Sequence, residues 1–228
     1  MQEKDLLQKA MQQKNMMVLY RDNLVAPEYA GVPVAVENEL VVLQRQTNFV
    51  LDGYCAVRTG DITEAEQMDD VPFLRRVMAA EKLYDAVKAP GFPCRDRKEL
   101  LEGIMAKYAG WAAVECEGNP EESLYFLGRI IKVDSRYLTM KRVDALGNWL
   151  ADPLVLPLDD VTLVSFGDRY LEIFRKYCKL GGAGENREAG KEREGKALAR
   201  RRRAVAFASG TPPEPIFVKP PYAAARLV

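Results

Sequence analysis

Apolar residues recur at helical spacing in two short segments of the chain. The segments DLLQKAM and ELLEGIM each contain an acidic residue, a leucine pair and a methionine at the same spacing. Leu7 and Met11 are i, i+4 neighbours, as are Leu101 and Met105, and residues at that separation lie on one face of a helix. Both segments are therefore predicted to form short amphipathic helices.

A longer match follows each helix and indicates an internal duplication. The stretch GVPVAVENELVVLQRQT, from Gly31, aligns without a gap with GRIIKVDSRYLTMKRVD, from Gly128. Further along, Asp61 in DIT matches Asp160 in DVT, and another helix follows each, the first one predicted near 71–88. Because the matches keep one order over the whole unit, we predict two copies of a single small unit.

The pattern within each copy is typical of strands joined by tight turns. Residues 124–133, for example, are apolar and β-branched. Glu37 and Asp134 each stand between two apolar runs, where a hairpin turn is expected. Gly31 and Gly128 fall within strands, and a glycine there usually allows a bulge or a sharp bend. Each copy is predicted to contain a helix, five strands and a second helix.

This order of elements resembles the Sm-like fold, in which a helix is followed by five strongly bent antiparallel strands. The stretch GRIIKVDSRYLTM, from Gly128 to Met140, resembles the first Sm motif, which has a strand glycine, then a hydrophobic residue before an Asp, and then an apolar strand. The first copy has Glu37 in place of that Asp. The resemblance implies an α+β, mainly β chain of two tandem five-stranded Sm-like, or more broadly SH3-like, barrels with flanking helices.

Sm-like proteins usually form rings that bind uridine- or adenine-rich RNA, so the resemblance implies oligomers and RNA as a partner. The second Sm motif, an Arg/Lys-Gly pair before the last strand, is not visible in this chain. Asp61 and Asp160 stand in about that place and carry the opposite charge. The resemblance therefore implies the fold and leaves the RNA site unassigned.

The predicted organisation is two repeats and a tail. Residues 1–88 form the first helix-barrel-helix repeat, 89–95 a linker with two prolines and a glycine, and 96–180 the second repeat. Residues 181–228 form a flexible basic and proline-rich tail. Most of this tail lacks apolar periodicity and is rich in Gly, Glu, Lys and Arg, which predicts disorder.

Charge is distributed unevenly along the chain, although the net charge is zero. From residue 179 to the end there are 11 Lys+Arg and 5 Asp+Glu, which leaves 22 and 28 of the 33 of each kind for the rest. The sequence therefore predicts an acidic body with a basic tail. Because phosphates are repelled by an acidic surface, the body is not predicted to be the main nucleic-acid site.

Catalytic and metal chemistry find little support in the sequence. The chain has no histidine, which excludes Ser-His-Asp and Cys-His sites. Its four cysteines are scattered, so we predict free thiols, no metal and no cofactor, with a zinc site made of all four as the formal alternative. In GFPCRDR, Arg95 and Arg97 would lower the pKa of a reactive Cys94, and the alternative is a linker cysteine packed against a neighbour.

Two features are candidate contacts with a partner. Trp149 lies in the polar setting GNWLAD and is predicted to be an exposed aromatic contact. Arg200, Arg201, Arg202 and Arg203 form a run in the tail that would contact nucleic acid or an acidic partner. The alternative for this run is a solvated charged tail.

These observations favour a non-catalytic binding or scaffolding protein with a protein partner. RNA binding, through the arginine run or a barrel face, is the second hypothesis, and an uncharacterised enzyme is the third, because no catalytic constellation supports it. No apolar run approaches the roughly 18 residues of a membrane span. The N-terminal segment lacks the apolar core of a signal peptide, so a cytoplasmic location is predicted.

Overall fold

The computed structural model describes residues 2–25, 28–68, 71–118 and 124–178. The first half contains α1 (Gln2–Gln13), β1 (Met17–Tyr20), β2 (Glu28–Val36), β3 (Leu40–Thr47), β4 (Val50–Arg58), β5 (Glu64–Gln67), α2 (Val71–Ala80) and α3 (Leu83–Ala86). The second half contains α4 (Arg97–Lys107), β6 (Trp111–Cys116), β7 (Leu124–Val133), β8 (Tyr137–Arg142), β9 (Leu154–Pro157), β10 (Leu163–Phe166) and α5 (Arg169–Tyr177). The described chain is therefore mainly β, with helices at the ends of each half.

All ten strands belong to one antiparallel sheet with the order β5-β1-β2-β3-β4-β10-β6-β7-β8-β9. Each half contributes five adjacent strands in the same order, with its fifth strand beside its first. The pairing of β4 with β10 joins the halves. The sheet does not close on itself, so β5 and β9 are edge strands, and the two halves are not separate closed barrels.

The two halves repeat their strand registers as well as their order. Gly31 lies opposite Arg45 and Gly128 opposite Arg142, as the alignment of the two copies predicts. Two residues beyond each glycine the register shifts by a bulge, which begins at Pro33 in β2 and at Ile130 in β7. The long second strand of each half therefore bends at the same point.

The two strand glycines are required by a neighbouring main chain. A Cβ at Gly31 would lie 2.6 Å from the carbonyl oxygen of Gln44, and one at Gly128 would lie 2.1 Å from the carbonyl oxygen of Lys141. Both distances are shorter than a van der Waals contact. Any larger residue would therefore push the third strand of its half away from the second.

Each half packs its first helix against one face of its own strands. Leu7 and Ala10 of α1 join a core with β1, β3 and β4, and Leu101 and Ile104 of α4 join the equivalent core of the second half. In each half a further core lies on the other face of the strands, with Leu74 and Met78 of α2 in the first half and Leu171 of α5 in the second.

Local capping and backbone conformation define where the helices begin and end. The side chain of Asp96 accepts a 2.8 Å hydrogen bond from the amide of Glu99 and begins α4, and Asp168 does the same for α5 through the amide of Leu171. The single helix predicted near 71–88 is split into α2 and α3, because Lys82 has a left-handed conformation with φ 56°. The cap thus gives the amide of Glu99, in the first turn of α4, a hydrogen-bond partner.

The predicted repeat boundaries and the predicted tail stay predictions. The linker 89–95 connects α3 to α4, and the repeat boundaries at 88 and 96 stay predictions. The tail 181–228 lies outside the described residues. None of the described helices combines the length and apolar character needed to cross a membrane, and the cytoplasmic location stays a prediction.

The Gly128→Ala variant tests the close approach of β7 and β8. We expect it to lower the free energy of unfolding by about 2 kcal/mol, since the added methyl group meets main-chain atoms that cannot move without breaking the ladder. Gly60→Ala is the control, because a Cβ there meets no atom within 4 Å. Urea denaturation measures both, and equal stability of the two variants would contradict the close approach.

Candidate functional site

The junction between the halves is a short antiparallel ladder. Residues 54–57 of β4 lie opposite residues 163–166 of β10, from the pair Val57 and Leu163 to the pair Tyr54 and Phe166. The rings of Tyr54 and Phe166 stack with their centroids 5.2 Å apart. The ladder places the fifth strand of the second half where a sixth strand of the first half would lie.

A buried ion pair crosses the same junction. Arg21 follows β1 in the first half, Glu117 follows β6 in the second, and both side chains are fully buried. Arg21 Nη2 lies 2.9 Å from Glu117 Oε2, which also accepts a 2.7 Å hydrogen bond from the hydroxyl of Thr162. The guanidinium carbon of Arg21 lies 4.6 Å from the centroid of the Tyr29 ring. Since an unpaired buried charge is costly, each half requires the other at this point.

A second carboxyl group near this ion pair has an unusual pKa. Burial, and then the negative charge of Glu117, raise the pKa of Glu115 to about 7, while Arg21 and Arg45 act in the opposite direction. Glu115 lies on β6 directly beside Leu163 of β10. Burial at the junction therefore disfavours the charged form of Glu115.

The outer face of β3 and β4 is also buried by the second half. Leu40, Val42 and Ala56 are each at most 2% exposed and share one core with α4 and the strands of the second half. Leu40 and Ala56 line one small cavity together with Leu100 of α4. The first half thus uses its third and fourth strands to receive a helix of the neighbouring unit.

The equivalent positions of the second half are exposed or half-exposed. Register places Tyr137 and Thr139 of β8 where the first half has Leu40 and Val42, and Val155 of β9 where it has Ala56. Tyr137 is 41% exposed and Val155 is 57% exposed. We call this surface the β7–β9 face, and it consists of Arg129, Lys132, Tyr137, Thr139, Lys141 and Val155.

Positive charge surrounds the apolar part of the β7–β9 face. Arg129, Lys132 and Lys141 lie on it, and Arg136 lies beside it in the β7–β8 turn, where its guanidinium carbon is 5.8 Å from the Tyr137 ring centroid. All four cations are exposed. The aligned positions of the first half carry none, since they hold Val32, Ala35, Glu39 and Gln44. The second half therefore has a basic surface where the first half has apolar, amide and acidic side chains.

The structure places Trp149 at the margin of the β7–β9 face. Its ring centroid lies 5.4 Å from that of Trp111, and Lys141 Nζ lies 5.0 Å above it. Trp149 is half-buried, whereas the sequence predicts an exposed contact. Packing against the tilted Trp111 ring explains the difference, and the free part of the Trp149 ring borders the basic surface.

Cys94 does not have the character of a reactive thiol. It is 5% exposed, and burial together with the carboxylates of Glu37 and Glu99 raises its pKa to about 11. The expected lowering by arginines is therefore wrong in direction. Arg95 hydrogen-bonds to Glu99, and Arg97 hydrogen-bonds to the carbonyl oxygen of Leu158 and to Asp159.

The repeat markers occupy equivalent turns. The amide of Glu37 donates to the carbonyl oxygen of Leu40 at 2.9 Å, and the amide of Asp134 donates to that of Tyr137 at 3.0 Å. Hydrogen bonds from the amides of Arg136 and Tyr137 hold the pKa of Asp134 below its usual value.

Two further acidic markers end the short 3-10 turns that precede β5 and β10. Asp61 ends the turn Thr59–Asp61, and Asp160 ends the turn Leu158–Asp160. Arg58 donates to Asp61 within the first half and to the carbonyl oxygen of Asp159 across the junction, the latter at 2.7 Å. These residues therefore shape the strand ends, including one end of the junction.

The remaining candidates add no site within the described ranges. All four cysteines are free thiols. Among the described residues, no group of three or more Cys, Asp or Glu side chains is arranged to hold a metal ion. The arginine run Arg200–Arg203 lies outside those ranges. The β7–β9 face was missed in the sequence, where its signal was the set of lysines and arginines that the second copy has and the first copy lacks.

Comparison of the chain with protein-family models, with curated proteins and with solved structures finds no match.

The Glu117→Gln variant tests the ion pair at the junction. We expect it to lower the free energy of unfolding by about 3–5 kcal/mol, because the charge of Arg21 stays buried without its carboxylate. The double variant Arg21→Met/Glu117→Leu should recover most of this loss, since it leaves no buried charge. Urea denaturation measures both.

Glu102→Gln is the matched control for this measurement. It removes the solvent-exposed pair of Lys98 and Glu102 on α4 and should change the free energy of unfolding by less than about 1 kcal/mol. A loss no greater for Glu117→Gln than for Glu102→Gln would show that the buried pair does not hold the junction.

Proposed function

We propose that the chain is a non-catalytic binding or scaffolding protein in which each half is an Sm-like five-stranded unit of the open sheet and the β7–β9 face receives a protein partner. One observation carries the proposal. Tyr137 and Val155 are exposed at the positions where the first half buries Leu40 and Ala56 against a neighbouring unit. The first half thus already uses this surface for a contact within the chain. The equivalent surface of the second half is exposed and can bind a partner.

Several features support the Sm-like description of each half. A helix precedes five antiparallel strands, the fifth strand pairs with the first, and the long second strand has a glycine followed by a bulge. The acidic residues Glu37 and Asp134 occupy the turn after this strand in both halves. These features repeat in order and register, as expected for two copies of one bent five-stranded unit.

The composition of the β7–β9 face favours an acidic protein partner. Interfaces commonly combine an apolar or aromatic centre with a polar rim, and here Tyr137 and Val155 form the centre. Lys132, Arg136 and Lys141 lie around them and would attract and orient carboxylates of the partner. The face would serve the scaffold by holding one partner while the junction keeps the two halves rigid.

RNA is a second candidate partner, which the same basic surface favours. Exposed lysines and arginines attract phosphates, and Tyr137 and the free part of Trp149 could stack on bases. The two candidates differ in their response to salt, because phosphate binding releases counterions and weakens steeply as the salt concentration rises.

Cross-linking from the centre of the face tests the proposal. The photoreactive amino acid benzoylphenylalanine would replace Tyr137 in the full chain, which is then irradiated in cell extract and with labelled mixed-sequence single-stranded RNA. We expect a protein cross-link that persists from low to moderate salt and that Lys132→Glu/Arg136→Glu abolishes. Benzoylphenylalanine in place of Leu146, which is 74% exposed and outside the face, is the control.

The other outcomes of this measurement are equally informative. A cross-link to RNA that disappears as salt is raised would establish the RNA candidate and refute the protein one. No cross-link from position 137 above that from position 146, to either class of molecule, would refute the binding function of the face.

A further inference from the structure

We infer that the β7–β9 face takes an acidic amphipathic helix of its partner, laid on the outer side of the strands, and does not take an added strand. This inference rests on the proposed function, because it names the partner of the same surface. It is carried by the edge of β9, by the use of the equivalent face within the chain, and by the charge of the exposed residues.

The main chain of β9 is a poor template for another strand. The amide of Leu158 donates to the carbonyl oxygen of Arg136, so Tyr137 and Pro157 form a non-hydrogen-bonded pair. Alternation along the strand then turns the main-chain groups of positions 153, 155 and 157 away from β8. Two of these positions are Pro153 and Pro157, which have no N–H, and Val155 alone offers a donor.

The equivalent edge of the first half shows what strand addition requires. In β4 the main-chain groups of Tyr54 and Ala56 point away from β3. Both residues have N–H groups, and they lie opposite Phe166 and Val164 of β10. Pro153 and Val155 hold the corresponding places beside and within β9. Prolines on a free edge are a known means of preventing strand addition.

A second copy of the chain is also a poor partner for this edge. At the junction Leu163 and Ser165 of β10 lie on one side of the sheet. In β5, the equivalent strand of the first half, the register with β1 places Glu64 and Glu66 at these positions. In a head-to-tail pair the two carboxylates would lie opposite Leu156 and Leu154 of β9. Burial of these carboxylates against apolar side chains would be costly, so both edges resist further strand pairing.

A helix has a precedent on the equivalent face. The outer residues Leu40, Val42 and Ala56 of the first half lie in one core with Leu100 of α4, and Leu100 is fully buried. On the β7–β9 face the same positions hold Tyr137, Thr139 and Val155. An amphipathic helix docks in such a place through apolar residues three and four positions apart, without using main-chain donors of the sheet.

The charge of the surface defines which helix it would accept. Arg129, Lys132, Arg136 and Lys141 are exposed around the apolar centre, and Asp134 is the carboxylate nearest in sequence, already hydrogen-bonded within its turn. A helix with carboxylates beside its apolar stripe would pair with these cations. A helix with lysines in those places would be repelled.

A designed peptide provides the probe. It has the sequence of residues 96–108, DRKELLEGIMAKY, with the substitutions Arg97→Glu, Lys98→Glu and Lys107→Glu, and a hydrocarbon staple keeps it helical. Fluorescence anisotropy measures its binding to the full chain. The stapled peptide with the original charges is the charge control, and the acidic peptide with Leu100→Ser and Ile104→Ser is the apolar control.

We expect the acidic helix to bind at least about tenfold more tightly than either control peptide. Lys132→Glu/Arg136→Glu in the full chain should weaken binding of the acidic helix by about tenfold or more, and Val155→Ser should weaken it too. Leu146→Ser, which changes an exposed apolar residue outside the face, should leave the affinity unchanged.

An extended probe separates the helix from a strand. The peptide TPPEPIFVKPPY, residues 211–222 of this chain, has a short apolar run between prolines and suits strand addition. Tighter binding of this peptide than of the acidic helix, or helix binding that the face variants leave unchanged, would overturn the inference. If Tyr137 cross-links a partner while the acidic helix fails to bind, the binding function stands and the helix inference falls.

Discussion

The pairing of β4 with β10 holds the two halves in one sheet, and the buried ion pair of Arg21 and Glu117 makes that pairing specific. The ladder alone is four residues long, and many strands could supply one of that length. The ion pair is different, because each charge is fully buried and its partner comes from the other half. In either half by itself, Arg21 or Glu117 would lie against an apolar surface or water and would have no partner of opposite charge.

This constraint accounts for the unequal roles of the two halves. Both have the same element order, bulge and turn, so the duplication supplies two nearly identical frames. In the first half the outer face of the third and fourth strands is buried at the junction. In the second half the same face is exposed, and it carries basic and aromatic residues that the first half lacks at the aligned positions. The difference between the halves is thus the difference between a buried contact and an exposed one.

Features that depend on local sequence were predictable from the residues alone. The strand glycines Gly31 and Gly128, the acidic turns at Glu37 and Asp134, and the helix-strand order follow from spacing and turn chemistry, and gap-free alignment of the copies anticipates their matched registers. Such signals depend on neighbours within a few positions, which a sequence shows directly.

Features that depend on distant contacts were not predictable in the same way. Nothing in the residues of β4 and β10 indicates that they pair, so the single open sheet replaces the two separate barrels that the repeat implied. Arg21 and Glu117 look like ordinary surface charges in the sequence. The environment of Cys94 was predicted from its neighbouring arginines, whereas folding buries the thiol and turns those arginines toward other acceptors.

Native-state hydrogen exchange of the full chain tests the central claim, that the junction makes the two halves one cooperative unit. If it does, the amides of β4 in the first half and of β6 and β10 in the second will open with the same free energy, and Glu117→Gln will lower both by the same amount. Separate opening free energies for the two halves, with only one of them lowered by Glu117→Gln, would contradict the account.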